Sequence, residues 1–225
     1  MPNFSAVNPK LRLRTAKPAD AADLAEVYWC TASTLPERFL PTLGRGFLEC
    51  YHRILLGERH SLVMCLEDQS GKVVGFASGT CAMEEHVAAL SRNRVLLVLS
   101  AIPAIVGHPS ILGAMYRRFL ATRHCREREG FILGEGPRLE YWGCVEGAVP
   151  PAEALDLIRA WLTMFRRLGG KTVSCEVDSS NERVLRIHKA FGATVERGFI
   201  TGDGRERLIL KYDLNEEKTC RRIGG

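Results

Sequence analysis

The stretch from Arg138 to Val177, RLEYWGCVEGAVPPAEALDLIRAWLTMFRRLGGKTVSCEV, limits the folds open to this chain more than any other. Two short runs with strand character flank a segment whose apolar residues recur at helical spacing and which ends on Gly169-Gly170, the usual C-terminal signal. A strand, a crossover helix and a second strand make RLEYWGCV and TVSCEV parallel neighbours in one sheet. A cleft at the carboxyl ends of such strands is the default ligand site. The junction after the first strand is also a place where many enzymes seat a phosphate on free N–H groups. Pro150 and Pro151 have none to offer.

The rest of the chain supplies the remainder of a sheet. LRLRT (Leu11 to Thr15) alternates as a strand, and KPADAADLAEVYWCTA follows as a helix with Pro18 near its start and Asp20 as a candidate cap. LPERFLPTLGRGFLECYHRILL gives a second helical stretch whose Phe47, Leu48, Tyr51, Ile54 and Leu55 form a buried face, with His52 beside it. SLVMCLED and KVVGFASGT, joined by QSG, form an antiparallel hairpin. VAALSRNRVLLVLSAI and SILGAMYRRFLATRHCRERE read as two helices split at PAIVGHP. After the parallel unit come the turn DSSN, the helix ERVLRIHKAF, and two last strands, TVERGFI and ERLILKYDL. The expected fold class is therefore α/β, one mixed sheet with helices on both faces and a helical insertion. One domain spans 1–214, its insertion 84–128, and a loose tail 215–225.

Composition excludes several function classes. A net charge of +5, without a dense basic run interleaved with aromatics, argues against a nucleic-acid partner. Eight cysteines occur without any C-x-x-C pair, so no metal site is expected, and reduced thiols fit a cytoplasmic setting. The most apolar window, Val95 to Val106, is broken by Pro103 and has about half the ~20 residues of a membrane span.

The stretch RRLGGKTVSCEVDSSNERVLRIHKAFGA resembles the GNAT superfamily of acyl-CoA-dependent N-acyltransferases. There a helix ends at Leu-Gly, a strand ends in Glu-Val-Asp, an Asn (here Asn181) opens the next helix, and that helix closes on an aromatic and Gly192. LPERFLPTLGRGFLECYHRIL is similar to a bacterial subgroup with a helical insertion after the third strand. The family's phosphate signature, Gln/Arg-x-x-Gly-x-Gly/Ala, falls by this resemblance on Val149-Pro150-Pro151-Ala152-Glu153-Ala154. Val149 replaces the polar residue and Ala152 the first glycine, while Ala154 fits; the loop is degenerate, and Glu153 also complements the helix dipole.

The resemblance implies an acyl-CoA donor, with acetyl-CoA the simplest, and a small-molecule primary amine as acceptor. It places His188 where members often carry a tyrosine proton donor and makes Glu140 the strand-borne base, unless Leu139 faces the pocket instead. Glu85, with Glu84 and His86, follows the third strand close to the acceptor. The amide of Cys144 or Val145 is the expected oxyanion donor, Gly143 marks a bulge or close backbone approach, and one of Tyr141 and Trp142 lines the acceptor pocket. Arg92, Arg94, Arg117, Arg118, Arg123, Arg126 and Arg128 make a basic helical pair suited to an anionic acceptor or an acidic membrane surface. The stripe Val95, Leu96, Leu99 and Ile102 is expected on the core or on a second subunit of a homodimer. Two rivals stay open: a carrier-protein donor, and a binding or regulatory module without catalysis.

Overall fold

The computed structural model describes residues 11–31, 39–113, 136–201 and 204–215. A single seven-stranded sheet runs in the order β1-β2-β3-β4-β5-β7-β6. Its strands are β1 (Arg12–Thr15), β2 (Ser61–Glu67), β3 (Val73–Thr80), β4 (Arg138–Cys144), β5 (Thr172–Asp178), β6 (Thr194–Ile200) and β7 (Glu206–Asp213). β4 and β5 are parallel, as the crossover requires, and the other neighbours are antiparallel.

Helices cover both faces. α1 (Ala21–Thr31) and α3 (Arg45–Gly57) lie on one, where Leu24, Val27, Leu55, Val63, Cys65 and Phe76 form a core. A short α2 (Phe39–Thr42) precedes α3. The second helical stretch is thus divided: Gly44, at φ 90°, makes the turn that an L side chain would resist. On the other face α6 (Pro151–Arg167) and α7 (Glu182–Ala190) cover a larger core. At its centre Trp161 is fully buried, and its indole N–H donates to the Leu62 carbonyl at 2.8 Å. Burying a side chain of this kind stabilises the fold by ~1.5–3 kcal/mol.

Asp20 sits at the end of a 3₁₀ turn (Pro18–Asp20) and is not an N-cap. Its carboxylate accepts the Lys17 N–H at 2.6 Å and pairs with Arg14, which also donates to Glu67 at 2.5 Å. The Arg14 guanidinium holds the Asp20 carboxyl below its usual range. β1 is thereby tied both to β2 and to the entry of α1.

The insertion breaks within the expected PAIVGHP, where one helix ends at Gly107 and helix resumes at Ser110 after Pro109, and it breaks once more upstream. α4 (Met83–Arg92) and α5 (Arg94–Gly107) meet at Asn93 with a bend of 67°, and Pro103 lies inside α5. The Asn93 side-chain amide donates to the Ala89 carbonyl at 2.9 Å, closing α4 on itself. Pro103 removes one helical donor, which α5 tolerates on a helix whose Val95, Leu96, Leu99 and Ile102 are all exposed. The expected packing of that stripe on the core is not seen; Ala101, on its opposite side, is what packs inward with Leu43 and Ile111. The second expected helix, from Ser110, lies mostly outside the described residues. Among the described residues no single helix is long and apolar enough to cross a membrane.

Candidate active site

β4 and β5 part almost as soon as they meet. Among the described residues their register is one pair, Arg138↔Ser174. On its other edge β4 stays zipped to β3 through Tyr141↔Ser78, Trp142↔Ala77, Gly143↔Phe76 and Cys144↔Gly75, and the Val145 N–H donates to the Val74 carbonyl at 2.8 Å. Antiparallel bonding alternates residue by residue. Gly143 and Tyr141 therefore also face β3, whereas Trp142 and Cys144 turn their backbone groups toward the β5 edge. Of the two expected oxyanion donors, Val145 is spent on β3 and Cys144 points into the gap. The Cys144 thiol itself is pushed up to about 12 by burial, so it is no nucleophile near neutral pH.

The gap opens into a cavity of about 1040 Å³ lined by β4, β5, α1, α3 and the turn before α6. That turn runs over Val145-Glu146-Gly147-Ala148, closed by the Ala148 N–H on the Val145 carbonyl at 3.2 Å, with Gly147 at φ 76°. Pro150 is the N-cap of α6 and Pro151 its first residue, the position where proline is favoured. The Ala154 N–H already donates to the Pro150 carbonyl at 3.0 Å. That bond takes the Ala154 N–H out of the set of leading amides that an anion could meet. Val149, Pro150, Pro151 and Ala154 line the cavity, and Ala152 and Glu153 stand outside its lining. Gly147 is a residue that sequence reasoning missed; the phosphate signature, aligned on Val149 to Ala154, begins just downstream of it. Asn181 caps α7 by accepting the Val184 N–H at 3.2 Å, and it too lines the cavity.

A bulge shapes the opposite wall. Tyr141 pairs with Ser78 and Leu139 with Gly79, so Glu140 has no partner on β3. Of the two alternatives at Gly143, the bulge is absent, and the close approach is to a side chain, since a Cβ there would strike the Tyr141 hydroxyl. Leu139 is buried in the α6 core, while Glu140 and Tyr141 both turn toward α1 and α3. One Glu140 carboxylate oxygen lies 3.6 Å from His86 Nε2, and the other is buried without a hydrogen-bond partner. The Tyr141 hydroxyl bonds Thr31, and Trp142 packs on the α6–α7 side against His188. Glu85 is exposed on α4 and outside the cavity; its neighbour His86 is the one that turns inward. Glu84 accepts the Gly136 N–H at 3.0 Å, a structural contact.

Two histidines line this cavity from opposite faces, and both are nearly sealed from solvent. His188 is 2% exposed, with Nδ1 2.5 Å from the Tyr212 hydroxyl. Burial holds Tyr212 well above its ordinary value, so the phenol keeps its proton; where it donates to Nδ1, the imidazole proton sits on Nε2. Burial also lowers His188 to about 4, so at neutral pH it is an uncharged imidazole. It can offer a hydrogen bond into the cleft, but it does not carry the readily transferable proton expected of it. His52 is 1% exposed and lowered to about 3 by burial, and neither ring nitrogen has a hydrogen-bond partner. The rings of Tyr28, Tyr51 and Phe76 surround it at centroid distances of 5.9, 5.3 and 5.2 Å.

Cations and anions along the strand gap pair with one another: Glu176 meets Arg138 at 3.1 Å and Arg207 at 3.0 Å, and Asp178 meets Arg205 at 3.6 Å. Arg92 pairs with Glu58 at 3.5 Å. Arg117, Arg118, Arg123, Arg126 and Arg128 lie outside the described residues. Among the described residues no group of three or more His, Cys, Asp or Glu side chains is arranged to hold a metal ion.

No family model matches the sequence, and no curated protein matches it. Solved structures do match in fold. An acetyltransferase of the GNAT family from Streptococcus pneumoniae superposes with a TM-score of 0.55 at 10% identity, over 91% of this chain and all 100% of that one. Arabidopsis thaliana NAA60 in complex with acetyl-CoA gives 0.54 at 14% identity, covering 92% and 100%. Mutant forms of the spermidine/spermine N-acetyltransferase SpeG from Vibrio cholerae give 0.51 at 12%, covering 95% and 98%. The chain has the fold of the GNAT acetyltransferases.

Proposed function

We propose that this protein is an N-acyltransferase, moving an acetyl or other small acyl group from acyl-CoA to a primary amine of a small molecule by direct attack. The parting of β4 from β5 carries this reading, because it leaves the Trp142 and Cys144 backbone groups without strand partners beside a large cleft. Neighbours of the same fold solved with acetyl-CoA support the donor. Seven antiparallel or fully paired strands would have no use for such a gap.

Each step has a residue suited to it. Glu140 takes the proton from the incoming ammonium, directly or through one water, and its unpartnered buried oxygen is the atom for that work. The Cys144 N–H receives the carbonyl oxygen as it gains charge. As the C–S bond breaks, the Nε2–H tautomer of His188 can hydrogen-bond the leaving sulfur. Proton delivery to the sulfur then falls to water, since His188 is neutral. Among the turn amides, those of Gly147 and Val149, together with the helix start, are the ones available to phosphate oxygens.

One observation favours a second reading. Pro150 and Pro151 remove two donors where phosphates are expected, which suits a carrier-protein donor or a module that binds without catalysis. Calorimetry with acetyl-CoA, followed by a thiol-release assay across a panel of amines, decides between them. Binding with amine-dependent thiol release is the expected result; no heat at millimolar acetyl-CoA removes the acyl-CoA reading.

A further inference from the structure

Buried polar atoms without partners are rare because each forfeits its bond to water. Of the nine such side-chain atoms among the described residues, four share one wall. Both nitrogens of His52, Nδ1 of His86 and one oxygen of Glu140 lack a hydrogen-bond partner, and all belong to the α1–α3 side of the cleft and its α4 neighbour. The rings form a continuous surface there. His86 contacts Tyr51, Tyr51 contacts His52, His52 contacts Tyr28 and Phe76, and Tyr28 and Phe76 both contact Tyr141. The residues that α1 and α3 give to the cavity include no Lys or Arg. An anionic acceptor finds no countercharge on this wall; a cationic one finds Glu140.

We propose that His52 reads the acceptor: it hydrogen-bonds a neutral polar substituent on a flat-bodied cationic amine whose ring lies against Tyr28, Tyr51 and Tyr141 and whose ammonium faces Glu140. Flatness follows from the wall, because stacked and edge-on rings pack best on another ring. Neutrality of the substituent follows from His52 itself. Lowered to about 3 by burial, it stays uncharged, and a neutral imidazole offers one donor and one acceptor, matching a hydroxyl or amide better than a carboxylate. An ammonium at Glu140 would satisfy the carboxylate oxygen left over by His86. The acceptor assignment rests on the transferase reading above, but the pocket can be tested without turnover.

The test is calorimetry on the full chain with tyramine and with 2-phenylethylamine, which differ by one hydroxyl. Tyramine should bind about tenfold tighter, the worth of one buried hydrogen bond. His52→Phe should bring the two amines level, while His52→Gln, which keeps a donor and an acceptor, should preserve most of the difference. Equal binding by the unaltered protein, a preference that survives His52→Phe, tighter binding of β-alanine than of tyramine, or no amine binding at millimolar concentration each overturns the proposal. A parallel acetyl-CoA titration separates the two ideas. If tyramine binds through His52 while acetyl-CoA does not bind, the transferase falls and the pocket stands; if acetyl-CoA binds and His52→Phe changes nothing, the pocket alone falls.

Discussion

His52 and His188 face one cleft from opposite sides of the sheet, equally buried and both uncharged near neutral pH, yet only His188 has its hydrogen bonds made for it. On the α6–α7 side the imidazole is locked by Tyr212, with Cys175 3.8 Å away, and its ring is part of a finished core. On the α1–α3 side the imidazole waits among rings with nothing to bond. Burial alone therefore does not tell a histidine anchored by the chain's own hydrogen bond from one left wholly to a ligand. The hydrogen-bond count does, because a chain that buries a polar group without a partner forgoes stability that only something outside the chain restores.

Glu140→Gln keeps the shape of the acceptor wall but cannot take a proton, so kcat should fall by roughly 10²–10⁴-fold, the usual worth of a general base, with acetyl-CoA affinity unchanged. Steady-state kinetics beside calorimetry checks both halves, and a kcat within a few-fold of the unaltered protein would remove Glu140 from the chemistry.

Stability gives the next contrast. His188→Phe strands the buried Tyr212 hydroxyl and should cost about 1–3 kcal/mol in urea unfolding, whereas His52→Phe removes two unpartnered atoms and should be neutral or stabilising. Equal losses would mean that the two sides do not differ as described.

The pH dependence sharpens the same point. Both folded-state values, about 4 for His188 and about 3 for His52, lie below the ordinary 6.5. The unfolded chain therefore binds more protons, and the stability these neutral rings contribute is complete above pH 6.5. It is lost progressively as pH falls from 6.5 to about 4 for His188 and to about 3 for His52, each ring adding a slope of up to about 1.4 kcal/mol per pH unit. Urea unfolding between pH 7 and 4 should show this slope, and His52→Phe should remove its share.

The smallest effect is expected at the donor end. Pro151→Ala returns one N–H to the start of α6, and acetyl-CoA should bind several-fold tighter, within about 1.4 kcal/mol. Unchanged affinity would show that phosphates do not meet that helix start.

Local signals carried much of this molecule. The β2–β3 hairpin, the crossover helix, the Gly169 stop and the Asn181 cap are each written in a few adjacent residues, and each formed where the sequence places it. The bulge was different. It sits at Glu140, not Gly143, because it arises across strands: Gly79 lets the Arg138 carbonyl and Trp161 come closer than a Cβ would allow, which shifts the register between Ser78 and Gly79. Nothing local to β4 announces that. His52 was similarly hidden. Its place beside an apolar helical stripe marks it as buried, but its lack of partners depends on Tyr28, Phe76 and Tyr141, which come from three other elements. In the insertion α5 runs through Pro103 and ends four residues later at Gly107, still within PAIVGHP, whereas the bend at Asn93 has no glycine or proline to announce it.

Acyl transfer by this chain requires the open edge of β4. Amide hydrogen exchange, read residue by residue with and without acetyl-CoA, tests it directly. Tyr141, Gly143 and Val145, bonded to β3, should be protected in the free protein, and Trp142 and Cys144 should exchange quickly until acetyl-CoA slows Cys144. Protection of Cys144 before any ligand is added, or exchange there that acetyl-CoA leaves unchanged, would contradict it.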